Sequence, residues 1–249
     1  IVTHSPLKSS SKRIYSMAVH GFPRANRLKL AIVTETFPPE INGVALTFDR
    51  IARELGRRGH DVPVYRPHGP PSVAVKFQEV FLPGFSLPGY PQLRLGMPAW
   101  RALRRRWRAD PPDLVHVVTE GPLGASAVTV ARALALPVTS SFHAHFHHYA
   151  GTYGIAPLRR AVFVWLRRVH NRTRRTFVPT EALRREFARA GFHNLGLLAR
   201  GINPAEFSPA HRSAELRAAW GAGPGELVAL QDIEHAIGKP RFLQELGHA

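Results

Sequence analysis

The chain has 249 residues, 44% of them apolar, which is enough for one large domain with a buried core. It contains no cysteine, which excludes disulfides, thiolate metal sites and a cysteine nucleophile. Its formal net charge of +17 favours anionic partners: phosphorylated substrates, acidic lipid surfaces or nucleic acid.

Residues 1–27 are basic and patternless and lack the apolar middle segment of a secretory signal, so they are expected to form a disordered extension. No run of 18 apolar residues follows, so no transmembrane helix is expected. Residues 28–34 (LKLAIVT) read as a buried strand, 35–43 as a proline-punctuated loop, and 44–58 as a helix closed by Gly59. A second strand is expected at 61–66, with Pro63 suggesting an edge or irregular position. Strand, helix, strand in this order implies a parallel sheet.

The alternation continues. Strands are expected at 73–82, 113–118, 137–142, 176–179 and 195–199. Helices are expected at 98–109, 121–135, 156–174 and 181–190, with 83–91 as a Pro/Gly-rich loop. The fold class is therefore α/β, a Rossmann-like, doubly wound parallel sheet over 28–205. Residues 206–230 read as a linker with one helix (212–220) and the first strand of something new (226–230); 231–249 form a mixed polar tail.

Ligands of such sheets bind beyond the carboxyl ends of the strands, where four segments carry candidate chemistry. In the first loop Gly43 precedes a helix whose N-terminal amides and dipole suit a phosphate oxygen, and Asn42 is a candidate cap; an ordinary capped turn would look the same. No G-x-G-x-x-G is present, so a dinucleotide fingerprint is unsupported. Glu120, after a strand and before a helix, either meets sugar hydroxyls or acts as a base, or is simply a carboxylate favoured by a helix N-terminus. In the run 143–148 (HAHFHH), residues 143, 145 and 147 share one side of an extended segment, yet no carboxylate accompanies them. One histidine facing the cleft is the preferred reading over a metal site. Arg200 pairs with a phosphate, forms an ion pair or is solvated.

Six segments occur in one order: 38–44 (PPEINGV), 54–62 (ELGRRGHDV), 119–124 (TEGPLG), 141–144 (SFHA), 178–181 (VPTE) and 200–207 (RGINPAEF). Together they resemble the N-terminal domain of family-4 retaining glycosyltransferases of the GT-B fold, in particular the bacterial α-mannosyltransferase and glycolipid-glycosyltransferase branch. The resemblance implies a hexosyltransferase that needs neither metal nor cofactor. Its partners would be a nucleotide-diphosphate sugar and a lipid or glycan acceptor. It assigns the diphosphate contact to Asn42, Gly43 and Val44; Arg200, from its place at a strand end, is a further candidate donor-binding residue. His143 would touch the donor sugar, and His143 and Glu120 are the candidate catalytic residues.

The resemblance also implies a C-terminal domain with a Gly-Arg turn and a lysine-bearing helix start after Leu230. There the chain reads Gln-Asp-Ile-Glu-His-Ala-Ile-Gly-Lys instead. Truncation is therefore expected, with a catalytically inactive chain that retains acceptor or membrane affinity as the alternative to an active enzyme. Two basic stretches, 101–108 and 159–175, suit an anionic membrane surface if their apolar residues are free, and a sheet-packed helix if they are not. A cytoplasmic chain, peripheral on the inner face of the membrane, is expected. Nucleic acid is not, because no helix-turn-helix, zinc finger or aromatic platform is visible.

Overall fold

The structure is a computed structural model. It describes residues 27–40, 42–72, 78–87, 90–143, 159–201, 204, 207–223, 225, 226 and 228. The N-terminal extension, the histidines at 145, 147 and 148 and the tail beyond 228 lie outside the described residues.

Seven strands form one parallel sheet: β1 (Leu30–Val33), β2 (Val64–Pro67), β3 (Glu79–Leu82), β6 (Leu114–Val117), β7 (Val138–Ser141), β8 (Arg175–Val178) and β9 (Leu195–Leu197). Their order across the sheet is β3-β2-β1-β6-β7-β8-β9. The chain winds outward from β1 in one direction and then returns to wind the other way. This is the doubly wound α/β arrangement expected from the alternating sequence. Between β3 and β6 stands an antiparallel hairpin, β4 (Gly84–Leu87) with β5 (Tyr90–Gly96).

Six helices are described. They are α1 (Gly43–Arg57), α2 (Trp100–Ala109), α3 (Pro122–Ala133), α4 (Arg159–His170), α5 (Glu181–Arg189) and the short α6 (Ala214–Ala219). Strand periodicity sorts the core. Ile32, Val64 and Val118 point to one face and pack with Phe48 and Ala52 of α1. Their chain neighbours Ala31, Val33, Tyr65, Val115 and Val117 point to the other, where Leu103 and Trp107 of α2 and Leu123 and Ala127 of α3 cover them. A third cluster joins Phe142 and Val178 to Leu166 of α4 and Leu183 and Phe187 of α5. Each large apolar side chain fully buried this way contributes about 1.5–3 kcal/mol.

The helix ends follow the sequence signals. Asn42 Oδ1 accepts from the amides of Val44 (3.1 Å) and Ala45 (2.8 Å), and Thr180 caps α5 through the Leu183 amide. Gly59 and Gly191 take φ of +89° and +83° just past α1 and α5, a conformation glycine adopts without strain.

Three expectations need correction. The strand expected at 61–66 is interior, flanked by β1 and β3; Pro63 precedes its ladder, and its carbonyl accepts from the Ile32 amide. The loop expected at 83–91 contains β4 and the start of β5, because chain neighbours close in sequence pair locally whatever their Gly and Pro content. Glu226, expected to open a strand, lies in a bend where its carboxylate accepts from the Gly223 amide.

Helix α4 turns Leu166 and Val169 into the core, with Val162 and Phe163 packed against it, so this apolar stripe belongs to the sheet. Among the described residues no helix is long and apolar enough to cross a membrane. The chain divides into two compact units between Arg200 and Gly201. The second contains α6, capped by Ser213 through the Leu216 amide.

Candidate active site

The winding reverses at β1 and β6, and their carboxyl ends mark where a ligand of such a sheet binds. The loop from Thr34 to Asn42 is held by its own side chains. Thr34 Oγ1 donates to the Thr36 carbonyl (2.7 Å), and Thr36 Oγ1 donates to Glu40 (2.6 Å) and accepts from Asn42 Nδ2 (2.5 Å). Asn42 is thereby oriented to cap α1, whose first turn carries no acidic residue. The positive end of this helix dipole is left without a carboxylate from its own first turn.

Gly43 opens α1 and is exposed. A Cβ placed on it would stand 3.0 Å from Arg200 Nη1 and 3.8 Å from Cζ. Arg200 is the last residue of the first unit, three positions beyond β9, yet its guanidinium reaches Gly43 across the strand ends. A helix N-terminus and a guanidinium are thus brought together, both suited to an anion.

His143, two residues beyond β7, is the next element of the group. Phe48 of α1 meets its ring edge-on, with centroids 5.2 Å apart. Both ring nitrogens are buried and lack a hydrogen-bond partner among the described residues. Burial pulls this imidazole down to about 4, and the positive charge of Arg200 acts in the same direction. It is therefore neutral at pH 7, able to donate from one nitrogen and accept at the other.

His116 of β6 stacks on the same Phe48 ring, centroids 5.3 Å apart with the planes at 20°. Its ring nitrogens bond Thr139 Oγ1 and Ser141 Oγ of β7, each at 2.9 Å. Burial lowers it to about 3, with a smaller contribution from His143.

Two carboxyl groups form a second neighbourhood at the same strand ends. Glu120 precedes Gly121, the N-cap of α3, and its carbonyl accepts from Trp165 Nε1 of α4 at 3.3 Å. Burial raises its carboxyl to about 7. Glu35, directly after Thr34, is likewise raised to about 7, mainly by burial and further by the charge of Glu120, against the opposing pull of the Gly96 and Leu123 amides.

The structure therefore brings Gly43, Arg200 and His143 into one neighbourhood, with Asn42 oriented behind them. Val44 is committed otherwise: Asn42 takes its amide and its side chain packs against the core. Glu120 sits with Glu35. Two residues of the neighbourhood, Glu35 and His116, escaped sequence reasoning. Each left a signal: a carboxylate immediately after an apolar strand, and an imidazole inside one (DLVHVV). Among the described residues no group of three or more His, Cys, Asp or Glu is placed to hold a metal ion.

The profile of Glycosyltransferase Family 4 matches residues 41–206, most of the chain. The chain belongs to this family. The curated relatives of this family-4 chain include a GDP-mannose-dependent alpha-mannosyltransferase of Mycobacterium tuberculosis, 31% identical over 78% of this chain and 52% of the relative. A protein of the same name from Corynebacterium glutamicum is 29% identical over 78% and 48%. A sulfoquinovosyl transferase of Arabidopsis thaliana is 25% identical over 76% and 38%. The family-4 chain thus spans about half the length of the first two relatives. Among solved structures, a sucrose-phosphate synthase from Thermosynechococcus elongatus superposes with a TM-score of 0.54 over 79% of this chain and 53% of its own, at 13% identity. That likeness concerns the fold alone.

Proposed function

We propose that this family-4 chain supplies one wall of a hexosyl-transfer site. The site takes a nucleotide-diphosphate hexose, GDP-mannose in the first instance, and passes the hexose to a hydroxyl of a lipid or glycan acceptor. One observation carries the reading: the Arg200 guanidinium lies over Gly43 at the positive end of α1, with neutral His143 alongside. Charge develops on the departing diphosphate, and a guanidinium beside the positive end of the α1 dipole stabilises it without reorganising. His143 then bonds a hexose hydroxyl rather than taking up a proton, because an imidazole held down to about 4 is a weak base at pH 7. Glu120, poised between protonated and ionised forms near neutrality, accepts a hydrogen bond from the acceptor hydroxyl. The acceptor hydroxyl attacks the anomeric carbon on the face the phosphate leaves, and the leaving phosphate takes its proton, so retention needs neither a protein nucleophile nor a metal. GDP-mannose is the first donor to test because it stands in the names of the M. tuberculosis and C. glutamicum relatives.

The deciding experiment incubates the purified chain with radiolabelled GDP-mannose or UDP-glucose and a membrane-lipid extract, with and without EDTA. Calorimetric titration of each donor runs in parallel. Binding of GDP-mannose that is insensitive to EDTA and weakened about tenfold or more in Arg200→Ala is expected. Undetectable affinity for every nucleotide sugar would sink the reading.

A second reading, acceptor or membrane binding without transfer, is favoured by a separate surface. Phe85, Met97 and Trp100 are 45%, 44% and 53% exposed around the junction of the hairpin and α2. Arg101, Arg104, Arg105 and Arg108 are exposed along that helix, whose first turn carries no acidic residue. Apolar side chains beside a row of arginines match the headgroup region of an anionic bilayer, which would make the chain peripheral to the cytoplasmic leaflet. Binding without turnover in the same assay would select this reading.

A further inference from the structure

His116 has no part in the scheme above, yet it stands in the row of side chains that ends at His143. Its Cα partners across the sheet are Ile32 of β1 and Thr139 of β7, so it lies on the face that α1 covers, where Ile32 packs with Phe48. The hydroxyls of Thr139 and Ser141 hold its ring at both edges: Nδ1 meets Thr139 Oγ1 and Nε2 meets Ser141 Oγ, each at 2.9 Å. A neutral imidazole donates at one nitrogen and accepts at the other, so its plane cannot turn without breaking a buried hydrogen bond. Phe48 lies on that plane, with centroids 5.3 Å apart and 20° between the rings. At 1% exposure it has no space to swing away. His143 in turn meets Phe48 at 76°, with centroids 5.2 Å apart. Neither nitrogen of His143 has a hydrogen-bond partner among the described residues. Its orientation is therefore left to packing, and Phe48 is the oriented ring it packs on.

We propose that His116 is the positioning residue for His143: the β7 hydroxyls fix the His116 plane, that plane fixes Phe48, and Phe48 aims the free nitrogens of His143 at the hexose. This rests on the reading in which His143 bonds a hexose hydroxyl. A histidine suits position 116 because it turns polar edges to the sheet and an aromatic face to α1 at once. Glutamine keeps the donor and the acceptor but has no ring face. Helix α1 carries Gly43 at its start and Phe48 further along, so one rigid element sets the spacing between the diphosphate corner and the hexose contact. The His143 ring is then ordered before the donor arrives, which removes an ordering cost from binding.

The test uses the full chain with His116→Gln, Phe48→Leu and the two combined. NMR follows the ring protons of His143, and calorimetry gives the affinities for GDP-mannose and for GDP. In the ligand-free parent chain His143 keeps one rotamer, with NOEs to the ring protons of Phe48. In His116→Gln those NOEs weaken. GDP-mannose affinity then falls about three- to tenfold, the worth of one neutral hydrogen bond, while GDP affinity stays within about twofold. Phe48→Leu produces the same selective loss, and the combined variant loses no more than either alone, because both act through one ring contact. A His143 ring that averages over rotamers in the parent chain overturns the proposal, as do parental NOEs in His116→Gln. Additive losses overturn it too, and so do equal losses for GDP and GDP-mannose, which general loosening would give. Should either variant not fold, Ser141→Ala takes its place: it frees one edge of His116, removes no ring and carries the same expected NOE loss. The NOE comparison contains no donor. If the parent chain binds no nucleotide sugar, the transfer reading falls while that comparison still decides this proposal.

Discussion

Replacing Gly43 with alanine separates binding from stability. The backbone at Gly43 is not left-handed, so alanine enters without strain. At the start of a helix it should stabilise the chain by up to about 1 kcal/mol. The new Cβ stands 3.0 Å from Arg200 Nη1, several tenths of an ångström inside ordinary contact. Arg200 is exposed and moves aside with little cost to folding. The consequence falls on the anion. A charge-assisted hydrogen bond contributes about 1.5–3 kcal/mol, and partial displacement of the guanidinium should remove about half of that. The affinity for GDP or inorganic pyrophosphate, measured by calorimetry, is expected to fall about three- to tenfold, with a melting temperature equal to or above that of the parent. In an Arg200→Ala background the Gly43→Ala change should cost much less, because the two act through one guanidinium. Unaltered pyrophosphate affinity in Gly43→Ala, or full additivity of the two substitutions, would refute the assignment of this corner to a diphosphate.

Other outcomes follow from the same geometry. Arg66, 2% exposed, donates through Nε to Glu79 at 2.7 Å and through Nη2 to the same carboxylate at 2.6 Å; Arg66→Ala strands a buried carboxylate and should lower unfolding stability by about 3–5 kcal/mol in urea titration. Glu120, held at about 7 in the folded chain against an ordinary 4.5, keeps a proton that the unfolded chain releases between those values, so its contribution to stability declines as pH rises through that window. Glu120→Gln lacks the decline: its melting temperature should match the parent near pH 4.5 and exceed it at pH 8, and a constant difference across the range would contradict the burial argument. Changing Arg101, Arg104, Arg105 and Arg108 together to glutamine removes about 1 kcal/mol of membrane attraction per residue. Sedimentation with phosphatidylserine vesicles should drop more than about a hundredfold in affinity, and equal binding to neutral vesicles by the parent chain would count against a charge-driven surface.

The residues differ in how plainly they announced their roles. Asn42 and Gly43 were legible because a cap and a helix start are local events, decided within four residues of chain. Arg200 was legible as a candidate but not as a neighbour of Gly43, 157 positions away by subtraction of their numbers, because proximity at that separation is a property of sheet order. His116 was hidden by its surroundings: in a parallel strand covered on both faces an imidazole reads as an irregularity, and only the Thr139 and Ser141 hydroxyls of β7 show how it is satisfied. Glu35 was hidden by ordinariness, a single carboxylate after a strand, until two glycines from other elements proved to be shaped around it.

Sequence alone determined the local grammar of this protein: alternating strands and helices, their caps and glycine ends, and an ordered series of segments that marks the family. Periodicity and capping depend on residues within a turn or two of one another, so a linear reading captures them. Only the tertiary structure decided which strand ends became neighbours, that Pro63 sits outside a central ladder, and that four segments converge as two small clusters. Those outcomes depend on the winding of the sheet and on burial, which shifts the ionisation of His143, Glu35 and Glu120 through an environment that no single segment contains.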